Sequence, residues 1–499
     1  MKLPVRNQLV RGSGILLPIS SLPSDYGIGT FGSQAFRFID FLKDAGQKYW
    51  QVLPIGPTSY GDSPYQSFSA FAGNPYFIDL DILMEEGLLK HGEACSFFWG
   101  GKEESVDYAA LFQSRFAVLR TAFSRSRHAD TAEYGQFCEE NAYWLEDYCL
   151  YMALKFEFEN KEWLLWPEDI RFRRPAAVQR YSEKLRAEMD FWKFCQFAFY
   201  RQWNRVKAYA NQRGIRVIGD IPIYAALDSA DVWANSELFQ LDSRRMPTKV
   251  AGVPPDLFSK EGQLWGNPLY DWDAMEHDHF DWWKKRMKFS AKRYDVIRID
   301  HFIGIVRYYA IPAGETTAVS GSWQPGPGRK LTDAINGSIG KAQVIAEDLG
   351  VVVPQVKKLL KINGYPGMKV LQFAFDGNPK NQHLPMYYTS NTVVYGGTHD
   401  NDTLVEFFST MPAKNVRYAK EYLNVKRRKD LPGAVLRAAY ASVADTVIFQ
   451  AQDILFLPGW ARMNYPSTVG SNWRWRLKKG QLTDGISKEL CSLARIYGR

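Results

Sequence analysis

Cysteine is scarce in this chain, with five residues among 499. The number is odd, and no two cysteines lie at the short spacing that a metal-binding pair needs. This excludes a disulfide-stapled scaffold and a cysteine zinc site as the basis of the fold. Free thiols are typical of a reducing compartment, so we expect a cytoplasmic protein.

Long apolar segments and long basic segments are missing as well. The apolar residues at 14–19 are too few for a signal peptide, and no run is long enough to cross a bilayer. Lys and Arg exceed Asp and Glu by 62 to 54, a net charge of +8, but runs such as 426–429 are short. A solvated helix face explains them better than a nucleic-acid groove. We therefore expect no membrane and no nucleic-acid partner.

Aromatic residues, in contrast, are plentiful, with 16 Trp, 27 Tyr and 31 Phe. Their apolar faces and polar edges suit core packing, and they also suit ligands with one apolar and one hydroxylated side. Tyr60 and Tyr65 lie in a polar segment, 60–68, that follows a predicted strand. They either stack on a ligand or pack the loop, and the segment alone leaves both interpretations open.

Strand-like and helix-like segments alternate along the chain. Helical patterns separate most of the strands, and one helix is predicted to start with Ser33 as its cap. This order is typical of a (β/α)8 barrel of the α/β class, and we expect a single barrel domain over residues 1–499. The predicted strands lie at 14–19, 49–53, 215–222, 296–302, 343–350, 368–373, 392–400 and 446–457.

Two insertions interrupt the alternation. Residues 85–195 have apolar side chains at helical spacing and are predicted to form a helical insertion between the second and third strands. Residues 225–285 are predicted to form a loop insertion between the third and fourth strands. The Gly- and Pro-rich part of that loop, 251–268, predicts a mobile lid or a binding loop. The predicted helices of the first insertion are 108–123, 134–158 and 182–203.

The segment 296–302 pairs a cation with an acid on one strand. Side chains alternate between the two faces of a strand, so Arg298 and Asp300 share a face. A nearby guanidinium favours the ionised carboxylate, which suits a nucleophile at neutral pH. A buried structural ion pair is the alternative interpretation.

Three acids, Asp300, Glu347 and Asp400, each follow an apolar strand. In a barrel the carboxyl ends of the strands meet at one rim, so the three are expected to converge there. Paired carboxylates are what glycosidic bond cleavage needs, one as acid and one as nucleophile or base. A structural network is the alternative, and Arg298 argues against a metal site because it repels cations. Asp220, near the end of the third strand, is either a substrate ligand or a structural carboxylate.

Several motifs together resemble those of the 4-α-glucanotransferase family, also called amylomaltase or disproportionating enzyme, of the α-amylase clan. The similar segments are Arg-Ile-Asp-His at 298–301, Ala-Glu-Asp-Leu-Gly at 346–350 and Gly-Thr-His-Asp-Asn at 397–401. Further likeness extends to 60–75, 219–224, 252–272 and 461–466. The resemblance covers nearly the whole chain and is weakest in the helical insertion. It implies a (β/α)8 barrel without a C-terminal β domain.

The resemblance also implies roles for individual residues. Asp300 would be the nucleophile, Glu347 the general acid/base and Asp400 the transition-state stabiliser. The residues implied in substrate binding are Tyr65, Asp220, Trp265, Arg298, His301 and His399, with Asp256 and Phe258 in a loop over the acceptor sites and Tyr60 touching a distant part of the glucan.

The implied activity is transfer of α-1,4-glucan segments to the 4-hydroxyl of an acceptor glucan or glucose, with retention through a covalent glycosyl-enzyme. The alternative is a glucan hydrolase of the α-amylase class, because the same three acids serve both reactions. The expected partners are α-1,4-glucans and maltooligosaccharides, no metal or other cofactor is implied, and the protein is either a monomer or a homo-oligomer.

Overall fold

Twelve strands form two sheets in residues 8–59, 61–255 and 259–499, the part of the chain that the computed structural model describes. In chain order they are β1 (Gly12–Leu16), β2 (Tyr49–Gln51), β3 (Arg216–Ile221), β4 (Lys249–Val253), β5 (Gln263–Pro268), β6 (Val296–Ile299), β7 (Arg307–Pro312), β8 (Ser322–Pro325), β9 (Gln343–Ala346), β10 (Gly367–Val370), β11 (Thr392–Tyr395) and β12 (Thr446–Gln450).

The larger sheet is a barrel of eight parallel strands. Its order is β10-β11-β12-β1-β2-β3-β6-β9. Its two ends meet where the Ala346 N–H donates to the Pro366 carbonyl at 3.0 Å. The predicted (β/α)8 barrel is therefore confirmed. In residues 451–499, after the last barrel strand, the chain contains no further strand.

Helices surround the barrel, and a long helical run separates β2 from β3. In chain order the α-helices of the described residues are α1 (Ser33–Asp44), α2 (Leu80–Glu85), α3 (His91–Cys95), α4 (Tyr108–Arg125), α5 (Ala132–Glu157), α6 (Glu168–Arg171), α7 (Pro175–Lys184), α8 (Arg186–Gln212), α9 (Ala230–Ala234), α10 (Trp272–His277), α11 (Asp281–Arg293), α12 (Ile303–Val306), α13 (Arg329–Ser338), α14 (Pro354–Asn363), α15 (Leu404–Thr410), α16 (Ala413–Tyr422), α17 (Leu431–Ala441), α18 (Ala451–Ile454) and α19 (Asp484–Ile496).

Helix α1 has an apolar buried face and an N-terminus without a capping side chain. α1 buries Ala35, Phe38, Ile39 and Leu42, which recur at helical spacing. The predicted cap, Ser33, is instead the first helical residue, and no side chain caps this end. The residue before it is Gly32, where an added Cβ would lie 1.9 Å from an oxygen of the buried Asp79. The close approach leaves no room for a capping side chain.

The structure corrects several predicted boundaries. The strand predicted at 446–457 ends at 450 and continues as α18, and the strand predicted at 368–373 ends at 370 in a short 3-10 turn. The helix predicted at 182–203 is broken at Leu185, which separates α7 from α8. The Gly-rich segment 251–268, predicted as a loop, contains most of β4 and all of β5.

The smaller sheet is antiparallel, in the order β5-β4-β7-β8. Its strands β4 and β5 come after the barrel strand β3, and β7 and β8 come after β6. The smaller sheet therefore lies at the carboxyl end of the barrel, where the acids lie. Inside the barrel, apolar side chains from all eight barrel strands pack together, Ile218, Val296 and Ile345 among them. Among the described residues, no helix is long and apolar enough to cross a membrane.

Candidate active site

Arg298 joins two carboxylates at the carboxyl ends of neighbouring strands. The pairing of β3 with β6 sets Asp220 opposite Arg298. The Nη1 of Arg298 donates to both oxygens of Asp220 at 2.7 Å and to Oδ1 of Asp300 at 2.9 Å. Asp220 is fully buried, whereas the Asp300 side chain is 28% exposed. The guanidinium therefore holds one buried and one part-exposed carboxylate together at this end of the barrel.

Tyr65 connects this pair to the strand-end loop after β11. Its hydroxyl donates to Oδ2 of Asp220 at 2.9 Å and lies 3.1 Å from Nδ1 of His399. The two rings stack with centroids 4.8 Å apart. Burial, with the Asp220 charge beside it, raises the pKa of Tyr65, so the phenol stays protonated.

Asp400 is held ionised by its neighbours. Its Oδ2 lies 3.4 Å from Nε2 of His399, and its Oδ1 accepts from Nδ2 of Asn464 at 2.6 Å. Burial alone raises the pKa of Asp400, but the charge and hydrogen bond of His399, with the bond from Asn464, lower it to about 2. Burial alone lowers the pKa of His399, and Asp400 outweighs it and raises that pKa.

The pKa of Glu347 is raised, whereas that of Asp400 is lowered. It follows β9 directly, and its two oxygens accept from the backbone N–H groups of His301 at 2.7 Å and Leu349 at 2.8 Å. Burial, helped by the Asp300 charge, raises the pKa of Glu347 to about 7 against the lowering effect of Arg298. The pKa values of Glu347 and Asp400 are thus shifted in opposite directions by their environments.

His301 links the nucleophile candidate to the acid candidate. It follows Asp300 in a left-handed backbone conformation, with φ at 51°. Burial lowers its pKa to about 4, so the ring is neutral. Its Nε2 has no hydrogen-bond partner among the described residues, and its ring meets that of Trp265 edge to face at 4.8 Å. A buried, unpaired ring nitrogen at this rim suits a hydroxyl ligand.

Comparison with known proteins decides the family. The model of a family described as 4-alpha-glucanotransferase matches residues 17–483. The chain belongs to the 4-α-glucanotransferase family. Family membership confirms the prediction that it is an enzyme that transfers α-1,4-glucan segments.

Two relatives and one solved structure illustrate the likeness. A 4-alpha-glucanotransferase of Clostridium butyricum is 47% identical over 483 residues, which are 96% of this chain and 99% of the relative. One from Thermus thermophilus is 44% identical over 503 residues, 99% of this chain and 100% of the relative. The fold is similar to that of the amylomaltase from Streptococcus agalactiae in complex with acarbose, with a TM-score of 0.95, 43% identity and coverage of 98% and 99% of the two chains.

In this 4-α-glucanotransferase the structure brings most of the predicted site residues together. Hydrogen bonds and ring contacts connect Tyr65, Asp220, Arg298, Asp300 and His399 on one side of the rim. His301, Glu347, Trp265 and Asp400 adjoin them through the contacts described above. The predicted residues Tyr60, Asp256 and Phe258 lie outside the described residues. Among the described residues, no group of three or more His, Cys, Asp and Glu side chains is arranged to hold a metal ion.

Two contacts of Asp400 were not anticipated from the sequence. Besides the Asn464 bond, Arg462 donates from Nη2 to the Asp400 carbonyl at 2.7 Å and from Nε to the Asn464 carbonyl at 2.8 Å. Both residues lie beyond α18 and the 3-10 turn that ends at Ala461, while Asp400 itself lies five residues beyond the end of β11. In the sequence, the family likeness of segment 461–466 is the signal that points to these two residues.

Proposed function

We propose that Asp300 is the nucleophile, Glu347 the general acid/base and Asp400 the group that stabilises the transition state. One observation carries this proposal: Glu347, with a pKa near 7, and the guanidinium-bound Asp300 both adjoin His301 at a single rim. An acid must hold a proton at the working pH, and a nucleophile must lack one. Burial and the Asp300 charge raise the pKa of Glu347, and Asp300 accepts a hydrogen bond from the Arg298 guanidinium.

The first half of the reaction breaks the α-1,4 bond of the donor. Asp300 attacks the anomeric carbon, and its oxygen forms the new bond as the bond to the glycosidic oxygen breaks. Glu347 gives its proton to that oxygen, so the departing glucan leaves with a neutral 4-hydroxyl. Positive charge develops on the sugar ring, and the ionised Asp400 stabilises it.

The second half reverses these steps with a new partner. Glu347 takes the proton from the 4-hydroxyl of an acceptor, whose oxygen attacks the anomeric carbon and displaces Asp300. Two inversions give net retention. We propose that the acceptor is a maltooligosaccharide or free glucose. Transfer exceeds hydrolysis when an acceptor is positioned and water is excluded.

We propose that Tyr65, Asp220, Trp265, His301 and His399 surround the sugar at the cleaved bond. Their contacts with one another and their burial support this, since a neutral His301 nitrogen and a protonated Tyr65 hydroxyl bind hydroxyls without adding charge. The solved structure at 43% identity holds acarbose, which supports a glucan-like ligand here. Asp256, Phe258 and Tyr60 are proposed to contact acceptor and distant glucan units.

We further propose that residues 85–195 and 225–285 are insertions in a single catalytic domain spanning 1–499. Helices α3 to α7 lie between β2 and β3, and β4 and β5 lie between β3 and β6, which supports this division. We also propose a cytoplasmic location, supported by five cysteines that are all free thiols.

A product profile from maltotriose tests the function. Transfer yields glucose together with a series of longer maltooligosaccharides, whereas hydrolysis raises reducing ends in step with cleavage. Proton NMR of the new linkage at early times shows only α-anomers if the configuration is retained. An increase of reducing ends equal to the bonds cleaved would overturn the proposal that maltooligosaccharides or glucose are the acceptors.

The variant Asp300→Asn tests the nucleophile. We expect turnover to fall below about one part in 10⁴, with the melting temperature near that of the wild type because the side chain is part-exposed. Asp333→Asn, an exposed change of the same chemistry, serves as the control. Substantial transfer activity in Asp300→Asn would exclude this assignment.

A further inference from the structure

A side chain replaces part of the main-chain pairing where the barrel closes, between β9 and β10. The Ala346 N–H donates to the Pro366 carbonyl at 3.0 Å. In a regular parallel pair, the Met368 N–H would then donate back to the Ala346 carbonyl. It donates instead to Oδ1 of Asp348, at 2.7 Å. The Asp348 carboxylate therefore continues the connection between the two strands that the main chain begins.

The residue before Met368 leaves room for this carboxylate. A Cβ added to Gly367 would lie 2.6 Å from Oδ2 and 2.7 Å from Oδ1 of Asp348. The three atoms nearest to that Cβ all belong to the Asp348 side chain. The carboxylate thus lies directly against the main chain of β10, and a side chain on residue 367 would displace it.

Glu347 lies between the two residues that bond to the β10 segment, Ala346 and Asp348. Toward β6, the Glu347 N–H donates to the Ile299 carbonyl at 3.1 Å. The Glu347 carbonyl accepts from the Phe302 N–H at 3.0 Å. The main chain around Glu347 is therefore tied to both neighbouring segments of the barrel.

The turn after Asp348 supplies a hydrogen bond to the Glu347 side chain. The Leu349 N–H donates to Oε1 of Glu347 at 2.8 Å. Residues 350–351 are exposed, and the first of them is a glycine with φ at 93°, a conformationally permissive position. Farther along, Arg307 donates to the carbonyl of the second at 3.1 Å. The Asp348 side chain makes its bond to β10 nearer to Leu349 than this, and so fixes the start of the turn.

We propose that Asp348 is a positioning residue for Glu347. Its bond to Met368 holds the turn against β10, and the turn in that position directs the Leu349 N–H at the Glu347 carboxyl group. The inference rests on the general acid/base role proposed for Glu347. Because a hydrogen bond to a carboxylate favours the ionised form, the Leu349 bond also lowers the pKa of Glu347 against the larger effect of burial.

Asp348→Ala tests the proposal through rates and their pH dependence. We expect kcat on maltotriose to fall about 10- to 100-fold, with a smaller change in KM, because the acid is misplaced. Loss of the Leu349 bond should move the alkaline limb of the pH–rate profile up by about 0.5–1 pH unit. Removal of a negative charge by itself would move that limb down, so the upward direction reports the lost hydrogen bond.

Two further variants make the result decisive. Asp348→Asn removes the charge but keeps an acceptor oxygen, so it should retain most of kcat without an upward move of the limb. An alkaline limb of Asp348→Ala at or below the wild-type pH would overturn the proposal, whatever the change in kcat. Glu347→Gln, measured in parallel, should have almost no turnover. Substantial turnover in Glu347→Gln would instead refute the acid/base role, and the positioning role with it.

Gly367→Ala tests the same contact with Asp348 in place. The added methyl group meets the Asp348 carboxylate, so it should reproduce both the fall in kcat and the upward move of the alkaline limb. Combined with Asp348→Ala it should add little, because the group that it displaces is already absent. Additive losses in the double variant would contradict the proposal.

Asp271→Ala is the matched control for a purely structural loss. Asp271 is a part-buried carboxylate that accepts one main-chain N–H, from Ala274 at 3.0 Å, at the start of α10. Its removal should lower the melting temperature while kcat and the alkaline limb stay at their wild-type values. If Asp271→Ala moves the limb as far as Asp348→Ala does, the move is a general effect of destabilisation and the proposal fails.

Discussion

The variant Glu347→Gln distinguishes two contributions to the free energy of unfolding. One is the cost of burying the carboxylate charge, and the other comes from the hydrogen bonds that the two carboxyl oxygens accept. In the folded protein the pKa of Glu347 rises from its ordinary 4.5 to about 7, first through burial and second through Asp300. That rise corresponds to about 3 kcal/mol between the two protonation states. Because the folded state binds the proton more tightly, the contribution to stability is complete below about pH 4.5 and is lost as the pH rises through about 7.

A glutamine at this position does not titrate, but its amide has a different cost. Both carboxyl oxygens accept backbone N–H groups, from His301 and from Leu349. A glutamine NH₂ must face one of these donors, which destabilises the fold by about 1–3 kcal/mol at every pH. The stability difference between variant and wild type therefore contains a constant part and a part that varies with pH.

The assay is thermal unfolding of both proteins across this pH range. Between about pH 4.5 and about pH 8, the variant should gain about 3 kcal/mol relative to the wild type, or roughly 3–6 °C in melting temperature. In an Asp300→Asn background the gain should shrink without vanishing, since burial remains. A melting-temperature difference between Glu347→Gln and wild type that is the same at all pH values would refute the reasoning.

Three shorter predictions concern the same site. The wild-type rate should fall as the pH rises above about 7, because Glu347 must be protonated to donate; a pH–rate profile that stays flat to about pH 9 would contradict this. Asn464→Ala removes the 2.6 Å hydrogen bond to Asp400 and should lower kcat on maltotriose about 10- to 100-fold, with a smaller change in KM; steady-state kinetics with unchanged kcat would exclude it. Arg298→Lys leaves two carboxylates sharing a single ammonium, which cannot reproduce the guanidinium contacts. This change should destabilise the fold by about 3–5 kcal/mol, measured by thermal unfolding against the exposed control Lys330→Arg. Equal melting temperatures would show that the guanidinium of Arg298 is dispensable for stability.

Some features of the fold could be predicted because they are local. Arg298 and Asp300 share a face because strand side chains alternate, whatever surrounds the strand. The strand at 343–346 could likewise be predicted, because its apolar residues are followed directly by an acid. Parallel strands surrounded by helices have near-continuous apolar sequences, so the barrel strands stood out.

Other features could not be predicted because they depend on distant partners. β4 lies partly in a Gly- and Pro-rich segment and is a strand because it pairs with β5 and with β7, and β7 (307–312) comes much later in the chain. The pairing decided the structure there, against the weak local preference. The break at Leu185 was hidden because Leu185 and Met189 keep helical spacing across it, whereas Gln450, Gln452 and Asp453 interrupt the apolar run where β12 ends.

The sequence by itself determined the strand and helix periods, the succession of barrel strands along the chain and the acids that follow them, because each depends on neighbours a few residues away. The tertiary structure alone decided how those acids differ. Glu347 holds its proton because packing removes water and Asp300 lies near, and Asp400 releases its proton because His399 and Asn464 lie against it. Burial and through-space charge set these affinities, and neither can be read from residues in a line.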